Sequence, residues 1–398
     1  MADGVARAFA RRRIGVDAAT SFTPLSPGGP FVWRTVVKAC YAHGPEDVLA
    51  VTTLDPWFLE NLACPADHSP LQWDGKRLAG ACGHSYPVVD GIPVLLQADV
   101  EQTHRSAAVS IDRARSADAA ANGARPEPVG SPDVESSPTG VHPYVQQVLA
   151  ATNGIMYRNV TPTSYPIPDI RLPEANGEQW MLDIGCNWGR WCVAGSRKGY
   201  RVVGVDPSLE AVTVAREVAK QLGARALFVA ADGRYLPFRD QTFDVVFSFS
   251  VLQHFSKDNV RHALRSVRRV LKQDGVSLVQ MLNRIGLRSI YNQARLAFEE
   301  PHQFDVRYWT TRELHDTFAA AIGPSSLAVD AFFSANAQTS DIPLLPRKYQ
   351  LVVRSSEKLR ALANRVPALK HVADSIYITS SADPSRLAQV NARVTRTT

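Results

Sequence analysis

Leu182-Asp-Ile-Gly-Cys-Asn-Trp-Gly-Arg190 is the stretch that decides the fold of this 398-residue chain. It follows an apolar run and leads into a helix-like segment, Gly189–Lys198, so it predicts a turn from a strand into a helix. At such a turn the backbone passes close to a ligand, and the first N–H groups of the helix are unpaired. Gly185 and Gly189 permit the close approach. Asn187 stands where a third glycine is expected, and Asn tolerates left-handed backbone angles better than most residues.

Two kinds of nucleotide-binding loop are possible at this turn. A dinucleotide-binding loop requires G-x-G-x-x-G, whereas here the third glycine falls one residue early. The loop also carries Asp183 at the end of the strand, and a carboxylate repels a pyrophosphate but attracts the cationic amine of a methionine moiety. A phosphate-binding loop ending in G-K-[ST] is excluded for this segment because no such residues follow it.

Outward from the loop, apolar runs alternate with helical patterns, which is typical of a parallel α/β sheet. Thr310 with Glu313 predicts a capping box for a helix ending at Gly323, and Gly275 is predicted to end the helix before it. The predicted strands are Trp180–Ile184, Arg201–Val205, Ala226–Val229, Phe243–Phe249, Val276–Leu282, Leu327–Phe333 and Ser375–Ser380.

Carboxylates stand at the ends of the next two strands. Asp206 ends the second strand, about 20 residues after the glycine loop, where it can accept the hydrogens of both ribose hydroxyls. Asp232 follows the third strand, where a carboxylate can meet an adenine amino group. The fourth strand leads into Leu252-Gln-His-Phe255. Because open α/β sheets bind ligands at the carboxyl ends of their strands, these segments are predicted to form one site.

Together these motifs resemble the class I S-adenosylmethionine-dependent methyltransferase family. The resemblance implies an α/β fold with a doubly wound, seven-stranded, mostly parallel sheet of Rossmann-like form, and S-adenosyl-L-methionine as cofactor. Asp183, Gly185 and Gly189 would hold the methionine end, Asp206 the ribose, and Asp232 with Gly233 the adenine, while Ser248 to His254 would face the transferred methyl. Cys186, Asn187 and Pro207 complete the expected cofactor contacts.

His254 is the candidate catalytic residue. Methyl transfer from a sulfonium depends mostly on alignment, but a hydroxyl or amine acceptor also needs a base. His254 follows the fourth strand beside the expected methyl and is therefore the candidate base. The alternative is that this histidine only shapes its loop.

A second resemblance lies near the N-terminus. Leu62–His68, Ala81–Pro87 and the strand-turn-strand pattern Tyr86–Leu96, with its Asp90-Gly91 turn, look like a Trm112-type zinc-ribbon-like module. That family carries two C-x-x-C pairs, but Asp67 replaces one cysteine and the second pair survives as Cys82 with His84. Four residues could hold zinc; because their spacing is irregular, we predict instead a degenerate module without a metal. Those four residues are Cys64, His68, Cys82 and His84. In related proteins such modules bind or activate methyltransferases, which implies a docking or substrate-presenting role.

The composition of the chain indicates where one predicted domain ends and the next begins. Glu101–Gly140 is rich in Ala, Ser, Pro and charge, so it cannot bury enough apolar area to offset the entropy of ordering. The predicted organisation is an N-terminal segment at 1–54, the Trm112-like module at 55–98, a flexible linker at 99–142, the methyltransferase domain at 143–383 with an insertion at 334–373, and a tail at 384–398.

The charge, the cysteine content and the apolar runs of the chain limit the partners and compartments that fit it. The chain has 44 basic and 38 acidic residues, a net charge of +6, and no run of five or six basic residues, so nucleic acid is an unlikely partner. Five cysteines do not suggest a disulfide framework, and a reducing cytoplasm fits better. No apolar run approaches the roughly 18 residues of a membrane span. Peripheral membrane contact stays open, and the oligomeric state is undetermined.

The predicted activity is methyl transfer to a small-molecule acceptor. The segment Tyr144–Tyr157 and the insertion 334–373 are predicted to cover the acceptor pocket, which suggests a bulky or lipid-like acceptor. Two alternatives stay open at this point. One is an RNA methyltransferase, and the other is a cofactor-binding protein that regulates another enzyme without catalysis. The acceptor atom is not determined.

Overall fold

The computed structural model describes residues 54–121, 140–299, 301–302, 304–333 and 336–395. Almost all of the predicted N-terminal segment, and residues 122–139 of the predicted linker, therefore lie outside the described residues. All of these described residues belong to one compact unit. The fold is mixed α/β, with a seven-stranded sheet as predicted.

A small ribbon opens the described chain. The helix α1 (Pro56–Asn61) precedes an antiparallel meander of four short strands, and the predicted Asp90-Gly91 turn joins the last two with φ angles of 50° and 78°. The strands are β1 (Leu71–Trp73), β2 (Arg77–Gly80), β3 (Ser85–Val89) and β4 (Ile92–Pro93). Pro56 and Asp55 start α1, because Asp55 accepts a hydrogen bond from the Trp57 N–H.

The large sheet follows. Its strands are β5 (Trp180–Ile184), β6 (Arg201–Asp206), β7 (Ala226–Ala230), β8 (Phe243–Phe249), β9 (Leu271–Leu282), β10 (Ser325–Ala331) and β11 (Ser375–Ser381). Their order is β10-β11-β9-β8-β5-β6-β7. The strands β5 to β9 pair in parallel, and β11 runs antiparallel to both of its neighbours. The prediction of a mostly parallel sheet is confirmed.

Helices cover both faces of this sheet. They are α2 (Arg105–Ala121), α3 (Pro143–Thr152), α4 (Arg190–Arg197), α5 (Leu209–Gln221), α6 (Lys257–Val270), α7 (Leu287–Arg295), α8 (Thr311–Ala321), α9 (Arg347–Ala363) and α10 (Pro384–Thr395). Residues of α6 and α8 pack in one apolar cluster, and residues of α4, α5 and α10 pack in another. The predicted Thr310–Glu313 capping box starts α8. The doubly wound arrangement is therefore confirmed.

One helix end differs from the prediction. The helix α6 ends at Val270 rather than at Gly275, and β9 starts at Leu271. Leu271 pairs with Phe243 of β8. A neighbouring strand thus recruits residues that the glycine signal had assigned to the helix.

The predicted flexible linker and the predicted tail both contain helices. Part of the linker is α2, whose Ala107 and Ala114 are buried in the same cluster as α5. Part of the tail is α10, whose Val390 and Val394 are buried. The composition of the linker did not indicate α2, because a few small apolar residues on one face suffice when a large sheet supplies the other surface.

The ribbon shares its core with the large domain. Trp57 stacks on Trp180 with ring centroids 4.4 Å apart, and the Leu95 N–H donates to the Ala230 carbonyl at 2.8 Å. Phe58 and Phe238 belong to one buried cluster. The two predicted modules are thus packed together rather than separated.

Within the described part of the chain, none of the helices has both the length and the apolar character needed to cross a bilayer.

Candidate functional site

A cavity of about 460 Å³ opens at the carboxyl edge of the large sheet. Segments that follow β5, β6, β7 and β8 line it, because parallel strands end at the same edge. Eight of the predicted site residues contribute to the wall: Gly185, Cys186, Asn187, Asp206, Pro207, Asp232, Gly233 and His254. Four separate sequence motifs therefore meet around one space.

Asp206 organises the loop after β5. Its carboxylate accepts hydrogen bonds from the Asn187 N–H at 3.0 Å and from the Ser208 N–H at 2.9 Å. Asn187 has the left-handed φ of 44° that was anticipated for it. A carboxylate offers about four acceptor positions, so both oxygens can each take one more donor. Burial raises the pKa of Asp206 to about 6, although the two N–H groups act in the opposite direction.

Gly185 allows the chain to pass the cavity. Its φ is 76°, and a Cβ on it would lie 2.3 Å from Cγ2 of Val251. An alanine here would meet both a strained backbone and a stiff β-branched neighbour.

We expect Gly185→Ala to lower the free energy of unfolding by about 2–6 kcal/mol, since strain and overpacking each cost about 1–3 kcal/mol. The matched control is Gly223→Ala, where φ is 65° but nothing lies within 4 Å of the added Cβ. This control should lose only about 1 kcal/mol. Urea unfolding of both variants measures the difference. Equal losses would mean that the contact with Val251 contributes nothing.

Three predicted residues do not reach the cavity wall. Asp183 is buried behind it and accepts a hydrogen bond from the Cys192 thiol, with a sulfur–oxygen distance of 3.2 Å. Burial raises the pKa of Asp183 to about 7. The Ser248 hydroxyl is also buried and donates to the Ile184 carbonyl at 3.0 Å. Gly189 caps α4 at φ 83° and lies near Ala215 of α5, so its missing side chain serves helix packing. For these three, the predicted direct contact with a ligand is not supported.

Asp232 lines the cavity, but its carboxylate is occupied. Arg234 contacts both of its oxygens through Nε and Nη2 at 2.6–3.2 Å, and the Arg234 N–H adds a bond at 2.8 Å. Arg234 also donates to the Glu101 carbonyl at 2.6 Å. Asp232 thus ties the third strand end to the segment before α2.

Arg190 was quoted in the motif but not predicted as a site residue. It is buried, it lines the cavity, and its Nε and Nη2 have no hydrogen-bond partner among the described residues. Its Nη1 donates to the Thr152 carbonyl at 3.3 Å. Burial lowers the pKa of Arg190 below the usual value of an arginine, and the nearby Asp341 partly offsets this. A buried cation with free donors suits an anionic group in the cavity.

His254 is held in one tautomer. Its Nδ1 lies 2.8 Å from the Phe304 carbonyl, which can only accept, so Nδ1 carries the proton. The imidazole also stacks on the Phe304 ring, with centroids 4.3 Å apart. Burial lowers the pKa of His254 below 6.5. At neutral pH Nε2 is therefore unprotonated and able to take a proton.

One wall of the cavity comes from α3, in the segment Tyr144–Tyr157 that was predicted to cover the acceptor pocket, and a residue before α2 adds to it. Tyr144, Val148 and Thr152 of α3 line it, as does His104 just before α2. The Trp188 indole N–H donates to the Thr152 hydroxyl at 3.1 Å and joins α3 to the loop after β5. The ring of His104 contacts that of Phe304 edge-on at 4.5 Å. His104 was not identified because its segment was interpreted as a linker.

Of the insertion 334–373, none of the described residues lines this cavity, contrary to the prediction that the insertion covers the pocket. Ala337, Leu345 and Val353 pack instead in one cluster with Val145 and Leu149 of α3. The insertion supports α3 from behind, because its apolar residues meet the side of α3 that faces away from the cavity.

Part of the proposed zinc set converges in the ribbon. Cys64, Cys82 and His84 place one ligand atom each within 4.8 Å of one another. The two sulfurs are 3.4 Å apart, and Cys82 Sγ lies 3.2 Å from Nδ1 of His84. His68 is not in this group. These residues supply three positions of a tetrahedral site, and a module without a metal stays our prediction.

Residues 181–275 match a protein-family model described as a methyltransferase domain. The match covers β5 to the first part of β9, the segment that builds most of the cavity wall. It supports a methyltransferase domain in this part of the chain.

Three curated relatives are similar to the same region. An uncharacterized methyltransferase, YcgJ, of Bacillus subtilis is 38% identical over 107 residues, which are 27% of this chain and 42% of that protein. A malonyl-[acyl-carrier protein] O-methyltransferase of Hamiltonella defensa is 31% identical over 135 residues, 33% and 50% of the two chains. A ubiquinone biosynthesis O-methyltransferase of Rhizobium rhizogenes is 32% identical over 104 residues, which are 26% of this chain and 41% of that protein. The chain thus spans half or less of the length of these relatives.

Proposed function

We propose that this protein is an S-adenosylmethionine-dependent methyltransferase that acts on a small-molecule acceptor. The observation that carries the proposal is the cavity at the sheet edge, where the Asp206 carboxylate stands beside Gly185 and Asn187 with acceptor capacity to spare. The family match to residues 181–275 supports the same activity.

The residues present fit the cofactor at two ends. The free Nε and Nη2 donors of buried Arg190 suit the carboxylate of the methionine moiety. The open acceptor positions of Asp206 suit the two ribose hydroxyls. Gly233 remains available near the expected adenine, while Asp232 contributes by holding Arg234. When bound, the cofactor supplies an electrophilic methyl group on a sulfonium.

We propose His254 as the base. The Phe304 carbonyl holds the proton on Nδ1, so Nε2 would accept the proton of the acceptor's hydroxyl or amine. The Phe304 stack would keep the imidazole plane in place. Tyr144 and Phe249 on the wall restrict the space around the reacting group and exclude water.

The acceptor is proposed to be bulky or lipid-like. Aromatic and aliphatic side chains make up much of the cavity wall, among them Val148, Trp191, Phe249 and Phe304. Two of the similar proteins carry names that place them in the O-methylation of an acyl carrier substrate and in ubiquinone biosynthesis. We also propose that residues 55–98 form a Trm112-like module, supported by the short antiparallel ribbon and its three converging ligand residues.

Cofactor affinity should decrease as the pH falls below about 6. Because Asp206 has a pKa of about 6 in the free protein and must be ionised to accept two hydroxyls fully, binding should release a proton in this range. Calorimetric titration with S-adenosylhomocysteine between pH 5 and pH 8, in buffers of different ionisation enthalpy, measures this release. Asp206→Asn should bind more weakly and lose the pH dependence. If it keeps that dependence, another group, such as Asp183, causes it.

Labelled cofactor tests the proposed function directly. Purified protein with methyl-labelled S-adenosylmethionine is added to a cell extract, and label is expected in the small-molecule or lipid fraction. Label confined to RNA or protein would contradict the proposed acceptor class. An absence of affinity for S-adenosylhomocysteine would contradict the proposed activity itself.

A further inference from the structure

The helix α7 turns its apolar side to solvent. Leu287, Ile290, Tyr291 and Ala294 follow the i, i+3, i+4, i+7 spacing of one helix face. Leu287, Ile290 and Tyr291 are 53%, 42% and 50% exposed. A helix of a globular domain ordinarily buries such a stripe, so this one is available to a partner.

Polar residues attach α7 to the protein. Ser289 is the one buried residue of this helix, and its N–H donates to Oδ1 of Asp374 at 2.9 Å. The Arg288 N–H donates to the same oxygen at 2.6 Å. The amide of Gln293 donates to the Arg284 carbonyl at 2.8 Å. Hydrogen bonds therefore hold the helix, and Leu287, Ile290 and Tyr291 belong to none of the apolar clusters that the described residues form.

Arginines border the stripe on one side. Arg288 and Arg295 are seven residues apart and lie next to Tyr291, with their guanidinium groups 4.6 Å and 5.9 Å from its ring centroid. Neither forms an ion pair with an acidic residue among those described. This charge is positive, exposed and adjacent to apolar side chains, which is the pattern of a helix lying in the interface of an anionic bilayer.

Exposed apolar residues also flank α7 in the chain on both sides. Ile285 precedes the helix, and Leu296 and Phe298 follow it; all three side chains are exposed. We name the combined surface the α7 face: residues 285, 287, 290, 291, 294, 296 and 298 with Arg288 and Arg295. This face combines aliphatic side chains, aromatic side chains and cationic groups. Side chains of these three types are the ones that enter the headgroup region of a bilayer.

The α7 face lies at the edge of the sheet that holds the cavity. The helix starts five residues after β9 ends, at the carboxyl edge of the sheet. A groove lined by Gln293 and Arg295 also includes Arg307, and Arg307 donates to the His254 carbonyl at 2.7 Å. A surface bound to the α7 face would therefore lie near the mouth of the cavity.

We propose that the α7 face docks this protein onto the surface of an anionic lipid bilayer. The aliphatic stripe enters the acyl boundary, and the flanking arginines contact lipid phosphates. The arginines favour this occupant over a second copy of the chain, since two copies facing each other would bring like charges together. The proposal goes beyond methyl transfer and does not depend on it.

Vesicle flotation tests the docking. The full-length protein is mixed with vesicles of phosphatidylglycerol and phosphatidylcholine, or of phosphatidylcholine alone. We expect binding to the anionic vesicles that weakens with added salt. The variant Leu287→Gln/Ile290→Gln should lower the partition coefficient at least about tenfold, because two aliphatic side chains no longer leave water. Arg288→Gln/Arg295→Gln should remove most of the salt dependence.

The matched control lies on α9. Leu351 is 68% exposed and Arg354 is also exposed, so Leu351→Gln/Arg354→Gln changes the same residue types elsewhere and should bind vesicles as the original protein does. All variants should keep their affinity for S-adenosylhomocysteine, which separates a failure of docking from a failure of the proposed function. Equal binding by the α7 variants, no preference for anionic vesicles, or a dimer in light scattering that the α7 variants abolish would overturn the proposal.

Discussion

Asp206→Ala is expected to weaken the binding of S-adenosylhomocysteine by about 100-fold or more, since charge-assisted hydrogen bonds contribute about 1.5–3 kcal/mol each. Two effects combine. The carboxylate is the proposed acceptor for both ribose hydroxyls, and it also accepts the N–H groups of Asn187 and Ser208. Without it, the loop after β5 loses its side-chain hydrogen bond to the end of β6, while the backbone bonds of Gly185 and Cys186 to the Val205 carbonyl remain.

Calorimetry on the purified variant measures this loss. Asp206→Asn keeps one acceptor oxygen, so its affinity for S-adenosylhomocysteine should lie between that of the original protein and that of Asp206→Ala. The control is Asp258→Ala, in which a carboxylate that is 93% exposed and pairs with Arg261 is removed from α6. It should bind as the original protein does, because surface pairs contribute little. Undiminished binding by a folded Asp206→Ala protein would refute the ribose contact and, with it, the proposed placement of the cofactor.

His254→Ala is expected to lower kcat by about 100- to 10,000-fold, the range that a positioned general base contributes. Affinity for the cofactor should change little, because the imidazole faces the proposed acceptor and the ribose contact lies on β6. With saturating cofactor, the rate for the original protein should fall on the acid side of pH 6.5, where Nε2 becomes protonated. The lowered pKa of His254 determines the pH range in which the rate decreases.

Transfer of label into the small-molecule fraction measures the rate. His315→Ala, which removes an exposed histidine on α8, is the control. His254→Gln separates the two roles of this residue, since an amide can still contact the Phe304 carbonyl but cannot take up a proton at neutral pH. If His254→Gln has the same rate and the same decrease in rate at acid pH as the original protein, His254 shapes the loop and is not the base.

Local signals were sufficient to predict most of the sheet. Each strand of a parallel sheet carries its own apolar run, and several helix boundaries here have their own marker, such as Ser208 before α5 or the Thr310–Glu313 box before α8. Because these signals act between residues close in sequence, they could be recognised without knowing the fold. The ends of β9 and α6 were misplaced where pairing with β8 outweighed the local glycine signal.

The wall of the cavity could be predicted only in part. Asp183 and Ser248 have the expected positions at strand ends, but successive strand residues point to opposite sides, and these two point into the protein. Conversely, Arg190 and His104 line the cavity although neither was predicted as a site residue. The position of His104 depends on where α2 packs against the sheet.

The sequence alone determined the α/β class, the seven strands and the edge at which a ligand would bind. Only the tertiary structure decided that the N-terminal ribbon shares a core with the sheet, that α2 and α10 are ordered helices, and which side chains reach the cavity. The reason is that strand and turn preferences depend on neighbouring residues, whereas burial of a short alanine or valine face depends on a surface that distant parts of the chain provide.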